Sequence, residues 1–136
     1  MQRIVCVLAA AAFLVSSSTG AYARPTGTDA PAERTFGQRN LTIVDVRRGL
    51  DTLAARIATR PTEARIVYAR AVLVEDALRD WARHFPQDPW IPGCAFALAQ
   101  LYGELDVLDS GTRKNAALDW LITAYPASDY AQMGRI

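Results

Sequence analysis

Three prolines fall within seven residues in Phe85-Pro86-Gln87-Asp88-Pro89-Trp90-Ile91-Pro92. That spacing leaves the chain few options. A proline inside a helix removes an N–H and clashes with the turn before it, whereas proline in a first turn loses nothing. On both sides of this stretch the apolar residues recur at helical steps of three and four. The segment Trp81 to Leu105 is therefore the end of one helix, a corner and the start of another. Asp88 is the expected N-cap of the second helix, starting at about residue 89, with Pro89 and Pro92 inside its first turn.

Apolar periods extend the pattern in both directions. Ile43, Val46, Leu50, Leu53 and Ile57 form the stripe of a first helix, capped by Asn40 or Thr42. Leu41 to Val46 is β-branched enough for a strand, and the continuing period decides for helix. Arg60-Pro61 closes it and opens a second helix, striped by Val67, Ala71, Val74, Leu78, Trp81 and Phe85. The third buries Ile91, Cys94, Leu98, Leu101 and Leu105, with Tyr102 beside them. After a loop at 106–112, Asp109 or Ser110 caps a fourth helix that buries Ala117, Leu121 and Ala124. A short fifth follows a cap at Ser128 or Asp129. The expected class is all-α, built as antiparallel helical hairpins with four main helices and a short C-terminal one.

Residues 1–23 read as a signal peptide. Arg3 supplies the positive start, Ile4 to Val15 the apolar run, and Ala21-Tyr22-Ala23 the small-x-small site for cleavage after Ala23. The run is too short for a stop-transfer span, and Cys6 is misplaced for lipidation. A periplasmic or secreted product follows. Residues 24–38 carry Pro25, Gly27, Pro31 and Gly37 without an apolar period and are expected to be a flexible leader. The helical domain then occupies 39–136.

The chain has 15 basic and 14 acidic residues, and Arg3 is the one charge before Arg24. The remainder is balanced, which argues against nucleic acid or an anionic membrane as partner. Cys94 is the only cysteine after Ala23 and His84 the only histidine. No intramolecular disulfide or zinc constellation is available to the cleaved product.

Two corners superpose at a spacing of forty residues. Phe85-Pro86 aligns with Tyr125-Pro126, Asp88 with Ser128, and Trp90 with Tyr130. With Ala95, Leu98, Leu101, Tyr102 and Glu104, this pattern resembles the tetratricopeptide-repeat (TPR) superfamily over about residues 77–133. It is closest to the periplasmic repeats of the Tol–Pal coordinator and the outer-membrane assembly lipoproteins. Ala99 departs from the glycine usual there, the 106–112 loop is long, and the first hairpin lacks the motif. The resemblance implies a short α-solenoid that is a non-enzymatic, protein- or peptide-binding scaffold of the cell envelope, with no catalytic residue and no cofactor. So short an array also suggests self-association.

Several side chains invite chemistry. Asp80 and His84 are one turn apart, which suggests an alternative: a small helical enzyme or enzyme inhibitor with its site near His84. An imidazole at a helix C-terminus is also favoured electrostatically, without any chemistry. Cys94 lies on a core stripe, as a small apolar residue or as a thiol open to pairing. Glu75, Asp76 and Asp80 read as a solvated helix face, with Glu75 and Arg79 an outward pair. The other aromatics read as core. Trp90, off the main stripe, is the expected partner anchor, with Arg83 and His84 nearby in sequence.

Overall fold

Every helix that ends at an X-Pro pair ends the same way. The computed structural model describes residues 29–136, and the expected signal peptide and residues 24–28 lie outside them. A residue before proline is driven out of the α region. Arg60, Phe85 and Tyr125 accordingly adopt φ/ψ of −137/71°, −133/64° and −131/52°. Each still donates its N–H to the carbonyl four residues back, and its own carbonyl accepts the N–H three residues on, from Glu63, Asp88 and Ser128. The first corner has no aromatic in its sequence, yet its backbone makes the same turn.

The chain forms five helices, of which these corners end three: α1 (Ile43–Thr59), α2 (Ala64–His84, entered through a 3₁₀ turn at Pro61–Glu63), α3 (Ile91–Gly103), α4 (Ser110–Ala124) and α5 (Asp129–Gly134). Of the described residues, 69% are helical and 4% in strand, and the class is all-α. Thr42 caps α1 in a reciprocal box: its hydroxyl accepts the Asp45 N–H while Asp45 accepts the Thr42 N–H. Ser128 caps α5 by accepting the Ala131 N–H. The Ser110 hydroxyl is turned back onto the carbonyls of Leu105 and Val107 and caps nothing. α1 packs on α2 and α3, α2 on α3, and α3 on α4 and α5; α4 also meets α5. The stripes read from the sequence are the buried ones, except that Ile43 and Phe85 are only partly buried and Ala124 is exposed in the last turn of α4.

The expected flexible leader is not what residues 29–38 form. Thr35–Phe36 (β1) pairs antiparallel with Leu41–Thr42 (β2), in the register Thr35↔Thr42 and Phe36↔Leu41. The strand tendency at Leu41 is thus real, but it lasts two residues before α1 takes over. Phe36 is 1% exposed and stacks on Trp81, with its edge towards Phe85. Gly37 has φ 69°, and a Cβ there would lie 2.8 Å from the Ala77 backbone, so this close approach requires glycine. Asp80 accepts the Gly37 N–H and Asp76 the Gln38 N–H, both at the strap's turn. One anchored phenyl ring has no period, which is why hydrophobic periodicity misses this strap.

Asp88 is not the N-cap expected for α3: the helix is entered at Trp90, which carries no side-chain cap bond. Asp88 is 1% exposed, and α3 begins at Ile91 rather than near residue 89. One carboxylate oxygen accepts the Trp81 indole N–H at 3.0 Å and the Ala30 N–H at 2.9 Å; the other accepts the Trp90 N–H at 3.0 Å. Strap, α2 and the entry to α3 thus meet on one side chain. Asp88→Ala would strand three donors, at least two of them buried, and should destabilise the fold by about 3 kcal/mol or more. Asp88→Asn, which keeps one acceptor oxygen, should lose less. Urea titration of both variants measures this, and equal losses would show that the acceptor is not what matters.

Candidate functional site

The structure separates the three residues expected to bind a partner. Trp90 stands at the start of α3 and is 50% exposed. The Arg47 guanidinium, from α1, lies 3.7 Å from its ring centroid. Both line a cavity of about 240 Å³ whose walls also include Asp51 of α1, Gly93 and Cys94 of α3, and Tyr130 of α5. Arg83 instead lines a cleft of about 450 Å³ between α2 and α4, with Arg79, Pro86, Trp120 and Tyr125. Its guanidinium pairs with Asp80. His84 lines neither cavity.

His84 is held by Asp80. Its Nδ1 is 2.9 Å from the Asp80 carbonyl oxygen, so Nδ1 carries the proton and donates. The Asp80 carboxylate is occupied by the Gly37 N–H and Arg83, with His84 Nδ1 3.4 Å from one of its oxygens. The Gly37 N–H, together with Arg83 and His84, holds the Asp80 carboxyl below its ordinary value despite some burial. Among the described residues no hydroxyl or thiol hydrogen-bonds the imidazole. No group of three or more His, Cys, Asp or Glu is placed to hold a metal ion among those residues.

The cleft on α1, α3 and α5 follows from the corner and from one glycine. Asp88 fixes the Trp90 backbone, and the corner leaves the indole off the buried stripe. A Cβ on Gly93 would come within 3.2 Å of the Tyr130 ring, so the glycine lets α5 approach α3. Tyr130, 41% exposed, packs beside Phe96 on the opposite wall. Trp90 and Tyr130 are the two large aromatic side chains exposed among the described residues, and both line this cavity. The alignment of the two corners pairs them; what one sequence does not reveal is that α1 contributes Arg47 and Asp51, off the stripe that buries it. Cys94 forms part of the floor, 7% exposed, and burial pushes its thiol up to about 11.

The acidic face of α2 is not solvated as expected. Glu75 is 6% exposed and accepts from the Tyr102 hydroxyl at 2.7 Å, Arg113 at 2.9 Å and Arg79 at 2.9 Å. The outward Glu75–Arg79 pair is therefore an inward carboxylate tying α2 to α3 and α4. Its neighbours explain the reversal: Tyr102 and Arg113 come from other helices, and a single-helix reading of spacing does not include them. Arg113 also donates to the Tyr68 hydroxyl, and Arg79 lies over the Trp120 ring. Burial pushes the Glu75 carboxyl up, but the bonds from Tyr102, Arg79 and Arg113 outweigh it and leave it below 4.5.

No family model, curated protein or solved structure matches the chain. Among the described residues, no helix is long and apolar enough to cross a membrane.

Two consequences are measurable. Because the folded Glu75 carboxyl titrates below its ordinary value, its contribution is complete above about pH 4.5 and is lost as pH falls through the folded value. Glu75→Gln should lower stability at pH 7 and flatten the loss between about pH 5 and about pH 3, read from urea midpoints; an unchanged acid limb would contradict this. Cys94 should alkylate slowly in native protein at about pH 8 and fast in urea, since the thiolate is the reactive form. Equal rates in a thiol-labelling time course would show the site to be open.

Proposed function

We propose that this chain is an exported, TPR-like scaffold that holds a protein or peptide partner on its α1–α3–α5 face in the bacterial cell envelope, and that it performs no chemistry on that partner. The observation that carries the reading is the convergence of Trp90 and Tyr130, both half-exposed, on one cleft. Exposed aromatics gathered in a concave site are the usual anchors of an interface. Two further features support the repeat character. The three X-Pro corners share one backbone turn. The packing also steps along the chain, with α1 against α3 and α3 against α5, and with α2 and α4 each placed between successive members. Stacked helical hairpins have this neighbour pattern. Export rests on the charge, apolar run and cleavage site of residues 1–23.

Arg83 and His84 have no part in this reading. Both belong to the far end of α2, with Arg83 bound to Asp80 and His84 to the Asp80 backbone.

The test is a photo-crosslinking side chain introduced in place of Trp90 and, separately, of the exposed Asp119 on α4. Illumination of host cells should give a discrete adduct from position 90, in the envelope fraction, that position 119 does not give. The same adducts from both positions would remove the face from consideration, and an adduct confined to the cytoplasm would remove the compartment.

A further inference from the structure

We propose that the protein held on the α1–α3–α5 face is a second copy of this chain, paired through α1 about a two-fold axis, an inference that rests on this face being the partner-binding face. What assigns the partner is a pair of charges that complements itself. Arg47 and Asp51 stand one turn apart on the exposed side of α1 and line the same cavity. An arginine four residues before an aspartate can pair with it along the helix, although that order is the weaker one. Here the two do not pair. The Arg47 guanidinium lies over the Trp90 ring, and among the described residues neither Arg47 nor Asp51 is in an ion pair. Stacking occupies the face of a guanidinium and leaves its in-plane N–H donors for a carboxylate from outside. Asp51 in turn lacks the cation that its spacing offers.

An antiparallel approach of two α1 helices supplies both. With the axis between positions 47 and 51, Arg47 of each copy faces Asp51 of the other. A parallel approach would set arginine on arginine and aspartate on aspartate. The register that pairs the charges also sets Val44 against Ala54 of the other copy. Both are exposed, and Val44 is a large apolar side chain in water. Val44, Arg47, Asp51 and Ala54 follow at steps of three, four and three. That is the spacing of a seam between two helices, in which polar members fix the register.

Trp90 and Tyr130 stand beside this seam on the α3 and α5 side of the cavity. A second copy seated on α1 covers them, and aromatics are enriched where interfaces exclude water. An unrelated partner would have to carry the inverse of the whole pattern. A second copy carries it by symmetry, because a two-fold interface needs one patch that complements itself.

The test is sedimentation equilibrium of the purified chain across a dilution series. The chain should dimerise reversibly. Arg47→Asp and Asp51→Arg should each weaken the dimer at least about tenfold, since each sets like charges face to face. Both changes in one chain should restore it. The two single variants, mixed in equal amounts, should also pair with each other, because each then meets its opposite. A chain that stays monomeric overturns the inference. So do single variants that dimerise like the parent, and so does a double variant or a mixture that fails to recover. If the chain is monomeric and position 90 still gives an adduct with another protein in cells, the partner is wrong and the face stands. If that adduct is absent too, both fall together.

Discussion

One carboxylate with three donors underlies the shape of this molecule. Asp88 receives an indole N–H from α2, a backbone N–H from the strap and another from the entry to α3. A buried acid left without partners would be among the most expensive groups in the fold. With them, it fixes how the start of α3 and the N-terminal strap sit against α2. Trp81 is thereby pinned at its polar end while its ring stacks on Phe36. The geometry of the corner, and with it the outward placement of Trp90, depends on this single side chain.

Glu75 plays the corresponding part where α2 meets α3 and α4. It gathers Tyr102, Arg113 and Arg79 and so links α2 to α3 and α4. No buried side-chain nitrogen or oxygen among the described residues lacks a partner. Such networks stabilise less by their net energy than by making misregistered packing costly. That matters in a domain this small, where apolar area alone specifies helix order weakly. The two buried acids act at different levels. Asp88 sets a corner, and Glu75 sets which faces of α2, α3 and α4 meet.

Much of this is legible in the residues, and the omissions have a common cause. Period and proline spacing locate all five helices, because a stripe of Val67, Ala71, Val74 and Leu78 repeats and X-Pro stops are local. The aligned corners also pair Trp90 with Tyr130, the two aromatics that share the cleft. Features that depend on non-local partners are not legible. Phe36 is a single anchor between polar neighbours, so its strap reads as a leader. Glu75 reads as solvated because the groups that bury it arrive from residues 102 and 113. Arg47 and Asp51 lie off their helix's buried stripe, and only tertiary packing brings them opposite α3 and α5.

The strap gives the domain a mechanical polarity. Residues 29–38 run along the end of α2, where the Ala30 N–H bonds the Asp88 carboxylate. Tension applied to the chain before residue 29 reaches that bond before the phenyl anchor at Phe36 and the two-residue strand pair. The bonded carboxylate also holds the Trp90 N–H. A pull at the N-terminal end is therefore felt at the mouth of the aromatic cleft before it strains any helix, whereas a pull at Ile136 loads α5 and the Tyr130 wall. The two ends of the chain address opposite sides of the same cleft.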